Sequence, residues 1–446
     1  MREHLAKGIY GVVDYVSYPL GMILVAPIVM RRLGPSGYGL WMITTAVVSA
    51  GGIIASGFGD ANIQRVARLR GAGKKRAMAL TVRSMLGINL VLGSILAIVV
   101  WSIAPFTARH VAASSTASVT ECLACLRLAS VLILVRAVES VGISTQRAFE
   151  HYRSSVQISS GVQLLTLASA AMLALAGLHV ASLLLVTGVF LLLGAYLQLR
   201  QVSRSLGGVS LRPAFQPNET RRLLGGGVFL WLQALGGVVF NQFDRILLGV
   251  SLGAVAVAPY ALCIQLAHPI FGVCASGLNF LFPLLSARAG KVSSGELKEI
   301  VFKAFLCNAL IVGIGAMLLL LFGRQLLRVW VGDAAARDAE RLLPPIVMGS
   351  ALAGLGVTGT YAMQALGRFR TMALINLGGR AVMFFLMIYL LHHAGVQGLA
   401  MARVCYGALA LLVYLPLLAS FKTPKQRMSR LDAMPVAASL QGGSKL

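Results

Sequence analysis

Four arginines of this chain fall inside long apolar runs, at 136, 245, 380 and 403. A charge at the centre of a bilayer costs roughly 2.5–3.5 kcal/mol on insertion scales, so each needs a partner or a wet cavity. Arg136 has Glu139 at i+3, close enough to pair on one helical face. Arg245 lies within about one turn of the end of its run, where a long side chain can reach the interface. Arg380 sits near the middle of its run with no acid one turn away, which makes it the leading candidate for an anion site. A guanidinium offers parallel donors that match the paired oxygens of a diphosphate. Arg403 and Arg245 are expected to add to the same positive cavity. The competing reading has Arg380 bonding helix-end carbonyls or an acid from another run.

Neutral polar groups form stripes beside these charges. Gln233, Gly237, Asn241 and Arg245 follow one another at i+4 steps, and Gln265, His268, Gly272, Ser276 and Asn279 fall near one face of the next run. Asn241 and Gln265 are therefore candidates to contact a bound ligand, although such amides also bond simply between helices. His268 reads as a packed helix residue rather than a proton relay. Asp14 and Asp244 are open to two roles: holding a coupling ion, H⁺ or Na⁺, or balancing arginine charge across the cavity. Cys122 and Cys125 read as small apolar residues opening a helix, and no cluster with metal-ligand spacing accompanies them.

The elements that must position these residues are apolar helices. Of 446 residues, 57% are hydrophobic and 12% charged, and the mean hydropathy of +0.81 is spread along the chain in twelve runs of about 20 residues, each long enough to cross hydrocarbon. This is the composition of an all-α integral membrane protein. The runs fall near 8–30, up to 60, 82–104, 122–143, 156–176, 180–199, 225–249, around Gln265, 299–322, 343–364, 371–391 and 396–419. Pro19 and Gly21 permit a bend in the first, and Tyr38 and Trp41 follow as candidate interfacial aromatics. The first run is too long for the core of a removable signal peptide and carries Asp14. The net charge of +25 reports orientation rather than nucleic acid, because 27 of the 39 Lys and Arg fall in segments facing one side and eight in those facing the other. The positive-inside rule places both termini in the cytoplasm.

The chain also reads as one pattern written twice. Leu33-Gly34 with Tyr38 returns as Leu252-Gly253 with Tyr260, Ala67-Arg68 as Ala287-Arg288, Arg83 as Lys303, Gln146 as Gln364, and Ala176-Gly177-Leu178 as Ala394-Gly395-Val396, at offsets between 218 and 220. The expected organisation is a six-helix lobe over 1–199, a cytoplasmic linker over 200–222 with Pro213 and Pro217, a second six-helix lobe over 223–420, and a basic, disordered cytoplasmic tail over 421–446. Duplicated halves in an apolar chain point to a transporter whose lobes rock about a shared central cavity.

Leu33-Gly34-Pro35 with Tyr38-Gly39-Leu40-Trp41, then Gly57-Phe58-Gly59-Asp60 leading into Arg65-Val66-Ala67-Arg68, resembles the bacterial polysaccharide (O-antigen type, Wzx-like) flippases. These belong to the superfamily that also holds lipid II flippases and multidrug and toxin extruders. Asp244-Arg245-Ile246-Leu247-Leu248-Gly249, Leu252-Gly253 and Tyr260 resemble the corresponding stretch of the second half, and the likeness runs to about Ser420. It implies movement of an isoprenoid-diphosphate-linked oligosaccharide from the cytoplasmic to the outer leaflet of the bacterial inner membrane by alternating access. No cofactor and no nucleic acid are implied; membrane lipids and other polysaccharide-assembly proteins are the expected partners. A drug or cation extruder would share the architecture but should favour acids and aromatics in its cavity. A membrane glycosyltransferase or polymerase should carry a large extramembrane loop or a carboxylate cluster, and the longest connections here, about 20 residues, hold neither. Reporter fusions after Arg76, Arg222 and Phe421 should report the cytoplasm and those after Arg109 and Arg337 the outside; an outside signal at Arg222 would break the two-lobe organisation.

Overall fold

A computed structural model describes residues 2–113, 118–278, 281–288 and 294–422. The side chains of 1–16, 225–230 and some single positions, Gln233 among them, lie outside the description, as do Asn279 and the tail from 423 onward. Asp14 is therefore placed by its backbone alone, and the expected tail falls outside the described residues.

Hydrocarbon offers the backbone no hydrogen bonds, so helices that satisfy their own are the natural solution for these apolar runs. Among the described residues there are no strands. The order is α1 (Arg2–Ala55), α2 (Gly59–Gly71), α3 (Lys75–Ala112), α4 (Val119–Ala148), α5 (Tyr152–Leu175), α6 (Val180–Ser205), α7 (Pro217–Val238), a π turn (Val239–Phe243), α8 (Asp244–Leu252), α9 (Ala254–Gly277), α10 (Leu281–Arg288), α11 (Ser294–Val331), α12 (Asp333–Glu340), α13 (Leu343–Ala365), α14 (Phe369–Ala410), a 3₁₀ turn (Leu411–Val413) and α15 (Tyr414–Lys422). Helix α1 breaks at Gly34 and α14 at Gly395, so each holds two legs. Among the described residues eight stretches are long and apolar enough to cross a membrane, and two of them, Ser17–Ala55 and Arg370–Ser420, are these double legs. The charged α4 and the interrupted α7–α8 run complete twelve legs. The protein is an all-α, multi-pass membrane protein with two six-helix lobes.

The reversal between the first two legs needs a single residue. Gly34 has φ 68° and ψ −179°, a region open to glycine and hostile to side chains, and Pro35 then begins the next helix where a missing N–H costs nothing. Its repeat mate Gly253, between α8 and α9, has φ 83° and ψ 175°. The pairing extends to buried polar bonds. Asn89 on α3 donates to the Ala137 carbonyl and Ser140 hydroxyl of α4, at 2.9 and 3.0 Å. Asn308 on α11 donates to the Gly354 carbonyl and Thr358 hydroxyl of α13, at 3.0 and 3.1 Å. The ends of α4 and α13 match too. Glu150 N–H bonds the Arg147 carbonyl and His151 N–H that of Gln146, as Gly367 N–H bonds Gln364 and Arg368 N–H bonds Met363. Glu150 takes φ 60° where the second lobe has Gly367 at φ 71°, and Arg70 pairs with its carboxylate.

Within the first lobe α3 lies along α4, α4 against α6, and α1 against α5; α13 packs on α9, α11 and α14 in the second. The lobes meet chiefly through α1 and α9. There Tyr38 (0% exposed) and Trp41 (2%) are buried, which corrects their reading as interfacial aromatics. Because the turn spends only one residue, both already lie inside the second leg, in the seam between lobes. Gly39 faces the Ala254 backbone so closely that an added methyl would overlap its carbonyl. Gly39→Ala should therefore cost about 1–3 kcal/mol from overpacking, read as a lower thermal unfolding midpoint in detergent. Gly161→Ala on α5, with open space at its Cβ position, should be neutral or stabilising.

Candidate functional site

The lobes close on each other at one end of the bundle and part at the other. At the Gly34 end, Gln265 Nε2 donates to the Tyr38 hydroxyl at 2.8 Å and Trp330 Nε1 to the Ile23 carbonyl at 2.6 Å. Arg31 Nη2 reaches the carbonyls of Val329 and Trp330 at 3.2 and 3.4 Å. Each of these bonds joins the first lobe to the second.

At the opposite end, which carries the basic 65–76 loop, a cavity of about 650 Å³ lies between α1, α2 and α4 on one side and α7, α9, α13 and α14 on the other. Among the described residues its charged lining is Arg147 and Asp60 from the first lobe and Arg380 from the second. Ser56, Ser140, Ser144, Thr360, Gln364 and Asn376 add hydroxyl and amide groups. The turn bonds match Gln364 with Arg147 rather than with Gln146, one position off the repeat expected from the sequence, so both lobes aim a long polar side chain at one space. The Arg380 stem lies over Gly236 on α7, where a methyl group would stand 2.9 Å from its Cδ. The expectation of a bare Arg380 does not hold: both Arg380 and Arg147 have interaction partners within the protein. A cavity with a guanidinium from each lobe and neutral donors between them suits an anion bearing hydroxyl-rich groups.

The start of α7 is fastened to the first lobe beside this cavity. Arg65 grips Glu219 through Nε and Nη2 at 3.1 and 2.8 Å, and Trp231 Nε1 donates to the Ile54 carbonyl at 2.8 Å while its ring stacks on Phe58.

The other expected site residues lie elsewhere. Arg403 is buried, 6% exposed, and does not line this cavity; its Nε donates to Asp244 Oδ2 at 3.0 Å and to the Tyr260 hydroxyl at 2.9 Å. Tyr260 donates in turn to Asp244 Oδ2 at 2.8 Å, and Asp244 Oδ1 accepts the Arg245 N–H. Asp244 thus neutralises Arg403 by direct contact inside the second lobe, joining α8, α9 and the second leg of α14. Arg245 follows it outside the cavity lining, with its Nε buried. Asn241 bonds back to the Gly237 carbonyl of its own run at 3.0 Å, and Gln265 serves the closed end. Arg136 and Glu139 form their i, i+3 pair at 2.9 Å, with Glu139 buried. Arg147 and Asp60 were passed over in the sequence because both flank the basic inner segments. Asp60 closes the Gly57-Phe58-Gly59-Asp60 motif, and Arg147 lies beside Gln146, one of the repeat anchors.

Removing one partner of a buried pair strands the other charge, at a cost of about 3–5 kcal/mol, whereas removing both can be nearly neutral. Asp244→Asn and Arg403→Met should therefore each lower folded yield and thermal midpoint sharply, and the double variant should recover most of the loss. A double variant as unstable as the sum of the two would show that the groups act separately.

Comparison with known proteins bears on the whole chain. The model of the family described as polysaccharide biosynthesis protein matches residues 7–288, more than half of the sequence, and that described as MatE matches 235–390. Among solved structures, an inward-facing multidrug resistance MATE family transporter of the MOP superfamily aligns at 14% identity over 95% of this chain and 99% of that one, with a TM-score of 0.72. The lipid II flippase MurJ in an inward closed conformation aligns at 12% identity over 92% and 87%, with a TM-score of 0.70. A MATE transporter in complex with MaD5 aligns at 15% identity over 92% and 97%, with a TM-score of 0.54. At such identities the likeness is one of fold. A comparison with curated sequences finds no match. With one repeated frame, one inter-lobe cavity and a family match over most of its first two thirds, the chain belongs to the polysaccharide biosynthesis protein family of membrane transporters.

Proposed function

We propose that the protein is a flippase of the bacterial inner membrane, carrying an isoprenoid-diphosphate-linked oligosaccharide from the cytoplasmic to the outer leaflet. The observation that carries this reading is the pair of guanidiniums, Arg147 and Arg380, contributed by opposite lobes to one cavity of about 650 Å³. The basic end of the bundle is the cytoplasmic end in this reading, both termini lie there, and the cavity receives its ligand from that side. Arg380 and Arg147 hold the diphosphate, while the hydroxyl and amide groups from Ser140 to Asn376 meet the first sugars. Closing this end and opening the Gly34 end would then release the glycan outside. Membrane lipids and other polysaccharide-assembly proteins are its partners. No cofactor is required, and any coupling by H⁺ or Na⁺ falls to a group other than Asp244, whose carboxylate Arg403 already holds.

The match to the MatE family over 235–390 favours a second reading, an extruder of drugs or cations. Two arginines against Asp60 weigh against a cationic cargo, and the readings separate by experiment. In a strain lacking the chromosomal copy, Arg380→Ala should reach the membrane at normal abundance yet leave lipid-linked glycan on the cytoplasmic leaflet. Export should fall by about tenfold or more, the value of a charge-assisted hydrogen bond or two. Arg380→Lys should recover part of it, because it keeps the charge and loses the fork. Normal glycan export by a stable Arg380→Ala protein would remove Arg380 from the site, and efflux of a cationic dye with unchanged glycan would favour the extruder.

A further inference from the structure

A second pocket, of about 520 Å³, opens at the base of α3, apart from the inter-lobe cavity and independent of the function proposed for it. Lys75, Arg76, Ala79, Leu80 and Arg83 of α3 form one wall, and Leu206 and Val209, at the end of α6 and just beyond, form the other. Arg76, Ala79, Leu80 and Arg83 follow the i, i+3, i+4, i+7 spacing of a single helical face. The two arginines stand about 10 Å apart along the helix, and the small side chain of Ala79 leaves the hollow between them. Arg83 is held in place by the segment that leads to the second lobe: its Nε donates to the Arg212 carbonyl at 2.9 Å, and its own carbonyl accepts the Ala214 N–H at 3.1 Å.

The charge of this pocket is uncompensated by its walls. Nearby Arg65 and Arg70 pair with Glu219 and Glu150, whereas among the described residues no acid lines the pocket. Its position adds a second constraint. Helix α3 has 38 residues, about 57 Å of length against about 30 Å of hydrocarbon, so its first turns project from the bilayer. The apolar run begins near Leu80, among the three cations, which puts them at the level of lipid phosphates. Ala79, Leu80, Leu206 and Val209 give the hollow an apolar floor beside that cationic rim.

We propose that this pocket binds a phosphate group, from an anionic lipid headgroup of the cytoplasmic leaflet or from a soluble phosphate, and that the bound group staples the inter-lobe segment around Leu206–Ala214 to α3. Basic residues at this level attract anionic lipid generally; a bounded pocket with an apolar floor makes the contact a site. The test uses the full chain in phosphatidylcholine nanodiscs, with phosphatidylglycerol or inorganic phosphate as probe, read by thermal midpoint and by retention in native mass spectrometry. Phosphatidylglycerol should raise the midpoint by several degrees. The Arg76→Ala, Arg83→Ala double variant should weaken its retention at least about tenfold. Val209→Trp, which fills the hollow from an exposed position and keeps all three cations, should weaken it equally. Arg368→Ala, an exposed cation at the same end of the other lobe, should leave it unchanged. Protection by inorganic phosphate alone assigns the site to a soluble group, and protection by the lipid alone assigns it to a headgroup. Absence of protection by either probe overturns the proposal, as does equal loss in Arg368→Ala, which would reveal general surface charge.

Discussion

Hydrocarbon supplies no hydrogen-bond partners, and that constraint bears on where the buried polar groups of the described residues lie. Asn89 and Asn308 spend their amides on carbonyls and hydroxyls of neighbouring helices. Gln146 bonds Gln198 in the interior of the first lobe, Glu139 takes Arg136, and Asp244 takes Arg403 and Tyr260. Arg147, Asp60 and Arg380 face the space where the lobes part, although both arginines also have contacts within the protein.

The frame repeats and the charges do not. Gly34 and Gly253 make the same one-residue reversal, the two asparagines make the same pair of bonds, and α4 and α13 end in the same pattern, with Arg70 holding Glu150 in a conformation that Gly367 takes without help. On that shared frame, Arg147 stands opposite Gln364, and the repeat position of Arg380 is Val162, a buried residue of the first-lobe core. Arg403 falls on Leu185, which is exposed on the first lobe. Two lobes of one architecture therefore present different faces to the space between them, as the proposed recognition of one asymmetric ligand requires.

Twelve legs, their order and their approximate ends were legible because period and length are local properties of the sequence; the second leg of α14, for example, begins beside the expected 396. Gly34 and Gly177 announced themselves through the repeat. The Asp244–Arg403 contact was hidden because it spans 159 positions, and helical spacing says nothing about which helices become neighbours. Arg403 thus looked like a lone charge. Tyr38 and Trp41 looked interfacial because they stand just beyond the end of the first run near 30, and the reversal there takes one residue, Gly34. Arg147 was counted with the loop charges that set orientation, although the last turn of α4 points it inward. Arg380 was readable as a cavity residue from its depth, but its contacts within the protein were not.

The distribution of strong and weak bonds bears on how such lobes can move. Charged, buried contacts lie within a lobe, as with Asp244 and Arg403, where breaking them would cost about 3–5 kcal/mol. At the closed end the lobes are joined by Gln265 to Tyr38, Trp330 to Ile23, Arg31 to exposed carbonyls, and the close approach of Gly39 to Ala254. Bonds of the neutral kind contribute only about 0.5–1.5 kcal/mol each. The exception is the start of α7, tied to the first lobe by Glu219 and Trp231 although it leads into the second. Between those ties and the Asp244 anchor lies the π turn Val239–Phe243, where the regular helical bonding is interrupted. The lobe movement that the proposed function requires would place its strain on that turn, the interrupted stretch of a helix tied to both lobes.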